Sequence, residues 1–392
     1  MTNSGTVDTA ELLFALLRLE ICDNAESVMT EPLTQDNLSA LYRLGKEHDI
    51  MHILSSALQK SGLLEAHSDE ITEKILKSRM VSVYRCERQK YALKEISRVL
   101  EKEKIPYVLL KGAVIRQHYP QEWMRTSCDI DILVHEEDLS RAIEYLVRDL
   151  SYKTDSKQRY HDVSLYSPGG VHLELHFNIK ESMENIDRML SRAWEFSERD
   201  CDDGVRYRQT NEFFLFHHIA HMSYHFIHGG CGIKPFMDLY VIKSKMEYDD
   251  KVVRDYCAQC GIEKFYDNVL SLTDVWFRKA AHTSRTRKME EYILKGGVYG
   301  TIENKVVIAQ GKRGGKGKYI LSRIFVPYDS LKNLYPILKK HKFLFPLMQI
   351  RRWFGIIFSG RIKRGVVELK ANQNISQDRA LAMNKFLKDI GL

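Results

Sequence analysis

The chain has 392 residues, of which 44% are hydrophobic and 28% charged; these are the proportions of a folded globular protein and exclude fibrous and disordered classes. Seven cysteines, an odd number spread along a long chain, do not read as a disulfide framework, so a reducing cytoplasm is the expected compartment. The net charge of +7 is uneven: residues 301–370 hold sixteen lysines and arginines against three acids, a net +13, the residues after them add +1, and the first three hundred carry −7. The basic character belongs to one C-terminal segment, and an anionic partner would be met there.

Residues 8–100 read as helical, with apolar residues three and four apart, as in Leu12, Leu13, Leu16, Leu17 and in Leu93, Ile96, Val99, Leu100. The first apolar run, 11–19, is short, starts with an acid and has no basic leader before it, so an amphipathic helix is expected rather than a signal segment. Pro106 lacks an amide proton and ends the helical region. Residues 107–110 then read as a buried strand, Lys111-Gly112 as a turn, and residues from Ala113 to the Tyr119-Pro120 pair as a short helix.

The run Asp-Ile-Asp-Ile-Leu-Val at 129–134 alternates, which puts Asp129 and Asp131 on one face of a strand and Ile130 and Ile132 on the other. A helix is expected over 138–150. A strand over 162–166, the turn Ser167-Pro168-Gly169-Gly170 and a strand over 171–177 make a hairpin, with His172, Glu174 and His176 on one face. From 178 to about 288 the pattern is helical, most clearly at 211–228. Residues 311–317 (Gly-Lys-Arg-Gly-Gly-Lys-Gly) read as a flexible basic loop, followed by helical segments broken by Pro327, Pro336 and Pro346. The expected organisation is a helical region 1–104, a strand-bearing region 105–180, a helical region 181–300 and a basic, mainly helical region 301–392.

Two aspartates two apart on an apolar strand repel each other unless a cation lies between them, and a divalent ion resolves that conflict. Mg²⁺ or Mn²⁺ takes carboxylate oxygens and substrate phosphates, and paired ions about 4 Å apart hold the attacking and leaving oxygens in nucleotidyl transfer. Glu174 on a neighbouring strand would complete the set. The Lys111-Gly112 turn at a helix start suits a phosphate, and the Arg125 fork adds a second phosphate donor.

The runs Leu109-Leu110-Lys111-Gly112, Arg125 with Asp129-Ile130-Asp131-Ile132-Leu133-Val134, and Val171-His172-Leu173-Glu174-Leu175-His176 resemble the uncharacterised nucleotidyltransferase family of bacteria, within the DNA polymerase beta superfamily. The resemblance is densest over 105–180 and extends to His217, His221 and Lys234-Pro235-Phe236-Met237-Asp238. It implies an α+β protein with a small mixed-sheet, polymerase-beta-like palm embedded between mainly helical regions. It also implies that Asp129, Asp131 and Glu174 are catalytic and metal-binding. Lys111, Gly112, Arg125 and His176 would meet the nucleotide, and His221 and Asp238 are candidate substrate contacts. The usual superfamily turn is Gly-Ser or Gly-Gly; here it is Lys111-Gly112.

The implied reaction moves a nucleoside monophosphate from a nucleoside triphosphate, with ATP the expected donor, to an acceptor that is a small molecule, a protein, a sugar intermediate or RNA. The other readings are a nucleotide-binding scaffold that keeps the palm without turnover, and an RNA-directed transferase using the basic segment. Lys111→Ala and Arg125→Ala are expected to weaken nucleotide binding without loss of stability. The stretch 343–358 is apolar and aromatic but cut by Pro346, Arg351 and Arg352, too charged to span a membrane. With Lys339, Lys340, Lys342, Arg361, Lys363 and Arg364 it is a candidate peripheral contact for an anionic membrane, beside the plainer reading of a packed helix with a basic face. Cys257 and Cys260 read as inert thiols, and His217, His221, His225 and His228 as packing or hydrogen-bonding residues.

Overall fold

The computed structural model describes residues 9–23, 33–155, 161–298, 300–358 and 362–392. The chain divides into two compact units, one of residues 1–224 with 232–298 and one of residues 225–231 with 299–392.

The first unit begins with α1 (Thr9–Ile21), α2 (Gln35–Glu47), α3 (Met51–Lys60) and the long α4 (Glu70–Lys102). The α4 helix is started by Asp69, whose carboxylate accepts from the Thr72 amide, and one stripe, including Cys86, Ala92, Ile96, Val99 and Leu100, is buried. Then come β1 (Tyr107–Leu109), α5 (Gly112–Ile115), β2 (Asp129–Val134), α6 (Leu139–Leu150), β3 (Lys153–Thr154), β4 (Asp162–Tyr166), β5 (His172–His176), α7 (Glu184–Leu190), β6 (Ser197–Arg199) and β7 (Arg206–Gln209). The helices α8 (Asn211–Ile227), α9 (Lys234–Lys245), α10 (Asp250–Gln259), α11 (Glu263–Arg278) and α12 (Ser284–Gly296) follow, the last three residues of α8 belonging to the second unit. The N-terminal helix packs back onto α11: Phe14 stacks on Trp276 at 4.4 Å between ring centres, and Arg18 donates to the Trp276 carbonyl at 2.7 Å.

The seven strands form one mixed sheet in the order β3-β4-β5-β2-β1-β7-β6. The β2–β5 and β1–β7 pairs are parallel and the other four antiparallel. This is the α+β architecture expected, but the sheet continues beyond residue 180. Residues 178 to 288 were expected to be helical throughout, whereas β6 and β7 extend the sheet at its β1 edge. Both are short and mostly polar, Ser-Glu-Arg and Arg-Tyr-Arg-Gln, so they lack the apolar alternation that marks a strand. The two-residue β3 is too short to show any pattern.

Register divides the sheet chemically. On one face Ile130 pairs with Leu173 and Ile132 with Leu175, while Val163 and Leu165 pair with Leu175 and Leu173. These join Ile96, Val99 and Leu100 of α4 and Ala142 and Leu146 of α6 in a continuous core. Burying large aliphatic side chains of this kind stabilises by roughly 1.5–3 kcal/mol each. The opposite face of the same three strands carries the polar side chains.

The second unit holds α13 (Ile302–Arg313), α14 (Lys316–Ile324), α15 (Tyr328–Leu334), α16 (Ile337–Lys340), α17 (Phe345–Phe358), α18 (Ile362–Asn374) and α19 (Gln377–Ile390). Its buried apolar residues form two small clusters, Val306, Val307, Tyr319, Ile375, Ala380 and Leu331, Leu338, Met348. The expected flexible loop at 311–317 is instead the end of one helix and the start of the next. Gly311 lies within α13, and a Cβ there would come within 2.4 Å of the Asn384 side chain on α19, so glycine permits the helices to approach. Gly314, at φ 74°, caps α13 in the left-handed region, and Gly315 opens α14. Arg361 of the expected membrane contact lies outside the described residues. No helix among the described residues is long and apolar enough to cross a membrane.

Candidate active site

The polar face of the sheet is built by register. Asp129 pairs with His172, Asp131 with Glu174 and Leu133 with His176 across the parallel β2–β5 pair, so both aspartates and Glu174 project from the same side. On the other side of β5, Asp162 pairs with His176 and Ser164 with Glu174. Donor atoms of Asp131, Glu174 and His176 lie within 4.8 Å of one another, and so do those of Asp129, His172 and Glu174. His176 Nε2 is 2.9 Å from Asp131 Oδ1 and 3.7 Å from Glu174 Oε2, and His172 Nε2 is 3.9 Å from Glu174 Oε1.

The electrostatics differ along this row. Burial raises the Asp129 carboxyl, and the negative charges of Asp131 and Glu174 push the same way, so it stands at about 6. Burial would also raise Asp131, but Lys111 and the hydrogen bond from His176 override it and hold that carboxyl well below the usual range. Burial works against the Lys111 ammonium, yet Asp131, Glu181, Asp129 and Glu174 together keep its pKa above that of an ordinary lysine. Lys111 is therefore the counter-ion of the cluster. It lies between β1 and α5, at φ 42° and ψ −114°, a conformation uncommon for a residue with a side chain.

Gly112 opens α5 against the segment that leads into β2. A Cβ there would meet the Ser127 Cβ at 3.2 Å and lie 3.8 Å from an Arg125 Nη, so the residue has little room to grow. Ser127 is held in turn by buried groups: Arg116 donates to its hydroxyl at 2.8 Å and Gln89 to its carbonyl at 3.0 Å, while its own hydroxyl donates to the Asp129 carbonyl at 2.9 Å.

Arg125 and Asp238 are brought together, apart from the row of carboxylates. The Arg125 Nε lies 2.6 and 2.9 Å from the two Asp238 oxygens, and the Tyr119 hydroxyl donates to Asp238 at 2.7 Å. Asp238 is 1% exposed. It is neither a helix cap nor open to solvent, since it sits in the second turn of α9 and points at the loop before β2. On the same helix, Lys234 donates to the Thr126 hydroxyl at 2.9 Å and pairs with Asp49. The Lys-Pro-Phe-Met-Asp stretch thus grips residues 125 and 126 from one side.

His221 of α8 is bonded to Glu181 at 2.7 Å. Burial raises Glu181, but His221 and then Lys111 hold it down at about 2. His217 is buried and pushed down by burial to about 3, and His218 bonds to the Pro235 carbonyl at 2.8 Å. Among the described residues the histidines of α8 form no three-ligand metal group. All seven cysteines are free, and burial raises both the Cys257 and Cys260 thiols, as expected of inert ones. Neither Glu181, which bonds to His221, nor His161 and Asp162, whose donor atoms lie near His176, was among the residues expected from the sequence. The alternation of β4 could have pointed to Asp162, which shares a face with Ser164; Glu181 lies in a connection with no periodic signal.

A mixed sheet that presents two carboxylates from one strand and a third from the next, with a lysine turn beside them, has the makings of a nucleotide-transferring site. The family model described as "Uncharacterised nucleotidyltransferase" matches residues 34–278, from α2 to the end of α11, and the chain belongs to that family. No curated protein matches the sequence.

Proposed function

We propose that the protein transfers a nucleoside monophosphate from a nucleoside triphosphate, with ATP as the expected donor, to an acceptor, releasing pyrophosphate. The observation that carries this reading is the register of β2 on β5, which sets Asp131 beside Glu174 and leaves Asp129 on the same face. The donor set fits a hard divalent cation, since burial and then the negative charges of Asp131 and Glu174 raise Asp129 to about 6, and a cation would offset both. Mg²⁺ or Mn²⁺, when bound by Asp129, Asp131 and Glu174, supplies charge neutralisation at the α-phosphate and the departing pyrophosphate.

The remaining work falls to the chain. An acceptor oxygen attacks the α-phosphorus, the bond to the β-phosphate oxygen breaks, and Glu174 takes the acceptor proton. Lys111 and the Gly112 amide cradle the triphosphate, and Arg125, held beside Gly112 by Asp238, presents its remaining N–H edge to the same phosphates. His176 orients Asp131 and lies within reach of the phosphates. His221, set by Glu181, contacts the substrate near Lys111, and Asp238 acts on the substrate through Arg125. Positioning and electrostatics supply the catalysis, as in other phosphoryl transfers.

The test is to incubate the full chain with each labelled triphosphate, Mg²⁺ or Mn²⁺ and a cell extract, beside Asp131→Asn. A labelled small molecule, protein, sugar intermediate or RNA formed only by the wild type names the acceptor. Triphosphate binding without any labelled product favours the scaffold reading instead.

A second reading concerns location at a cytoplasmic, membrane-peripheral site. In the second unit Phe325, Phe343, Leu347 and Phe354 are each more than half exposed, next to Lys339, Lys340, Lys342, Arg351 and Arg352. Exposed aromatic and aliphatic side chains among bases suit an anionic bilayer surface.

A further inference from the structure

We infer that the protein holds a second, nitrogen-preferring divalent ion of the zinc or cobalt type, bound by His161, Asp162 and His176 at the β4 end of the polar face. Donor atoms of these three residues lie within 4.8 Å of one another. An ion about 2.1 Å from each ligand requires donors about 3.4 Å apart in a tetrahedron, so the donors need to draw together by at most about 1.4 Å. The His161 Nε2 already stands 3.2 Å from Asp162 Oδ1, and the His161 and His176 rings are nearly parallel at 6.0 Å between centres.

The backbone fixes all three. Asp162 is the register partner of His176 across β4 and β5, and the amides of Phe177 and Asn178 both donate to the His161 carbonyl, at 3.1 and 3.4 Å. Asp162 is fully buried, so its carboxylate is held in one place beside His161. An independent observation comes from His176. Its Nε2 is engaged by Asp131, while its Nδ1 is buried and makes no hydrogen bond among the described residues. Buried ring nitrogens are ordinarily paired, and metal-bound histidines typically give their other nitrogen to a carboxylate. His176 has that arrangement, with Asp131 as the carboxylate and the ion expected at Nδ1.

Two imidazoles and one carboxylate make a borderline donor set, richer in nitrogen than the neighbouring acidic groups, each of which has one histidine to two carboxylates. Three protein ligands leave a fourth position for water or a phosphate oxygen. Because His176 is shared, an ion on Nδ1 fixes the tautomer in which Nε2–H donates to Asp131, coupling occupancy of this site to the geometry of the neighbouring carboxylates.

The experiment is equilibrium dialysis of the full chain with Zn²⁺ in excess Mg²⁺, and absorption spectra with Co²⁺ as a probe of nitrogen ligation. The wild type should retain one Zn²⁺ per chain against Mg²⁺. His161→Ala, at a partly exposed position, should lose at least tenfold in Zn²⁺ affinity with an unchanged circular dichroism spectrum, and Asp162→Asn should lose as much. Asp129→Asn should bind Zn²⁺ as the wild type does. Absence of Zn²⁺ binding by the wild type, wild-type affinity in His161→Ala, or loss in Asp129→Asn with retention in His161→Ala would each overturn the assignment. The last result would place the ion in the oxygen cluster. The readout is metal occupancy, so it stands whether or not nucleotidyl transfer is observed.

Discussion

The ion pair of Arg125 and Asp238 sets a stability prediction that a purely substrate-binding role for Arg125 would not. Asp238 is 1% exposed and Arg125 15%, the Nε contact is 2.6 Å, and the only other hydrogen bond to the Asp238 side chain seen among the described residues comes from Tyr119. Removing one member of a buried pair costs about 3–5 kcal/mol because the other charge stays buried without compensation. That is on the order of a hundredfold to several thousandfold in the folding equilibrium. Arg125→Met and Asp238→Leu should each lose this much in urea denaturation followed by circular dichroism and tryptophan fluorescence. The double variant should lose far less than the sum, since a buried pair replaced by apolar residues of similar volume is often neutral. Single losses below about 1 kcal/mol, the size of a solvent-exposed pair, or additive losses in the double variant would refute the argument. This replaces the simpler expectation that Arg125→Ala leaves stability unchanged; a loss of nucleotide affinity beyond the loss of folded protein would still report phosphate contact.

Lys111→Met should weaken triphosphate binding by tenfold or more in isothermal titration, with Lys111→Arg recovering part, because the ammonium answers four acids where the phosphates are proposed to bind; unchanged affinity in Lys111→Met would remove it from that role. Asp129, raised to about 6 from an ordinary 3.8, contributes stability that is fully present below 3.8 and lost as pH rises through about 6. Mg²⁺ should therefore raise the melting temperature clearly at pH 7.5 and hardly at pH 5, as read by thermal scans with Mg²⁺ or chelator; an equal rise at both would contradict the shift. His48 and His52 are buried and lowered by burial to about 4 from 6.5, so their stability is fully present above 6.5 and is lost as pH falls from 6.5 to 4, by roughly 3 kcal/mol each at the limit. Acid titration of His52→Gln should show a shallower loss over that window than the wild type. In flotation assays the chain should bind vesicles containing anionic lipid and not neutral phosphatidylcholine vesicles, with binding lost on Phe343→Ser/Phe354→Ser; equal binding to both vesicles would argue against the charged surface.

The parts of the fold legible in the sequence are those where one face is buried and the other polar. Asp-Ile-Asp-Ile and His-Leu-Glu-Leu-His alternate strictly, and the structure pairs them residue for residue, with Ile130 on Leu173 and Asp131 on Glu174. The long amphipathic helices announce themselves for the same reason. The last two strands carry no such signal: β7 is held by main-chain pairing to β1 and the edge strand β6 by pairing to β7, and their side chains are mostly polar whichever way they point. The glycines at 311–317 misled because a glycine required by close helix packing and a glycine in a loop look alike until the facing helix is known.

The least legible part of the site is the one that does most to define its charge. Nothing in Leu109-Leu110-Lys111-Gly112 says that the lysine rather than the glycine takes the positive φ, yet Lys111 sits at 42° while Gly112 begins the helix. A side-chain-bearing residue in such a region costs on the order of 1–3 kcal/mol and persists only where its surroundings over-determine it. Here the surroundings are identifiable: Gly112 is pressed against Ser127, so the turn cannot slide toward it, and four carboxylates draw the ammonium inward. A glycine at 111 would relax the backbone and remove the counter-ion together. The Lys111-Gly112 turn thus fixes a cation at this point of the chain, and the carboxylates of β2 and β5 carry a lysine partner of their own.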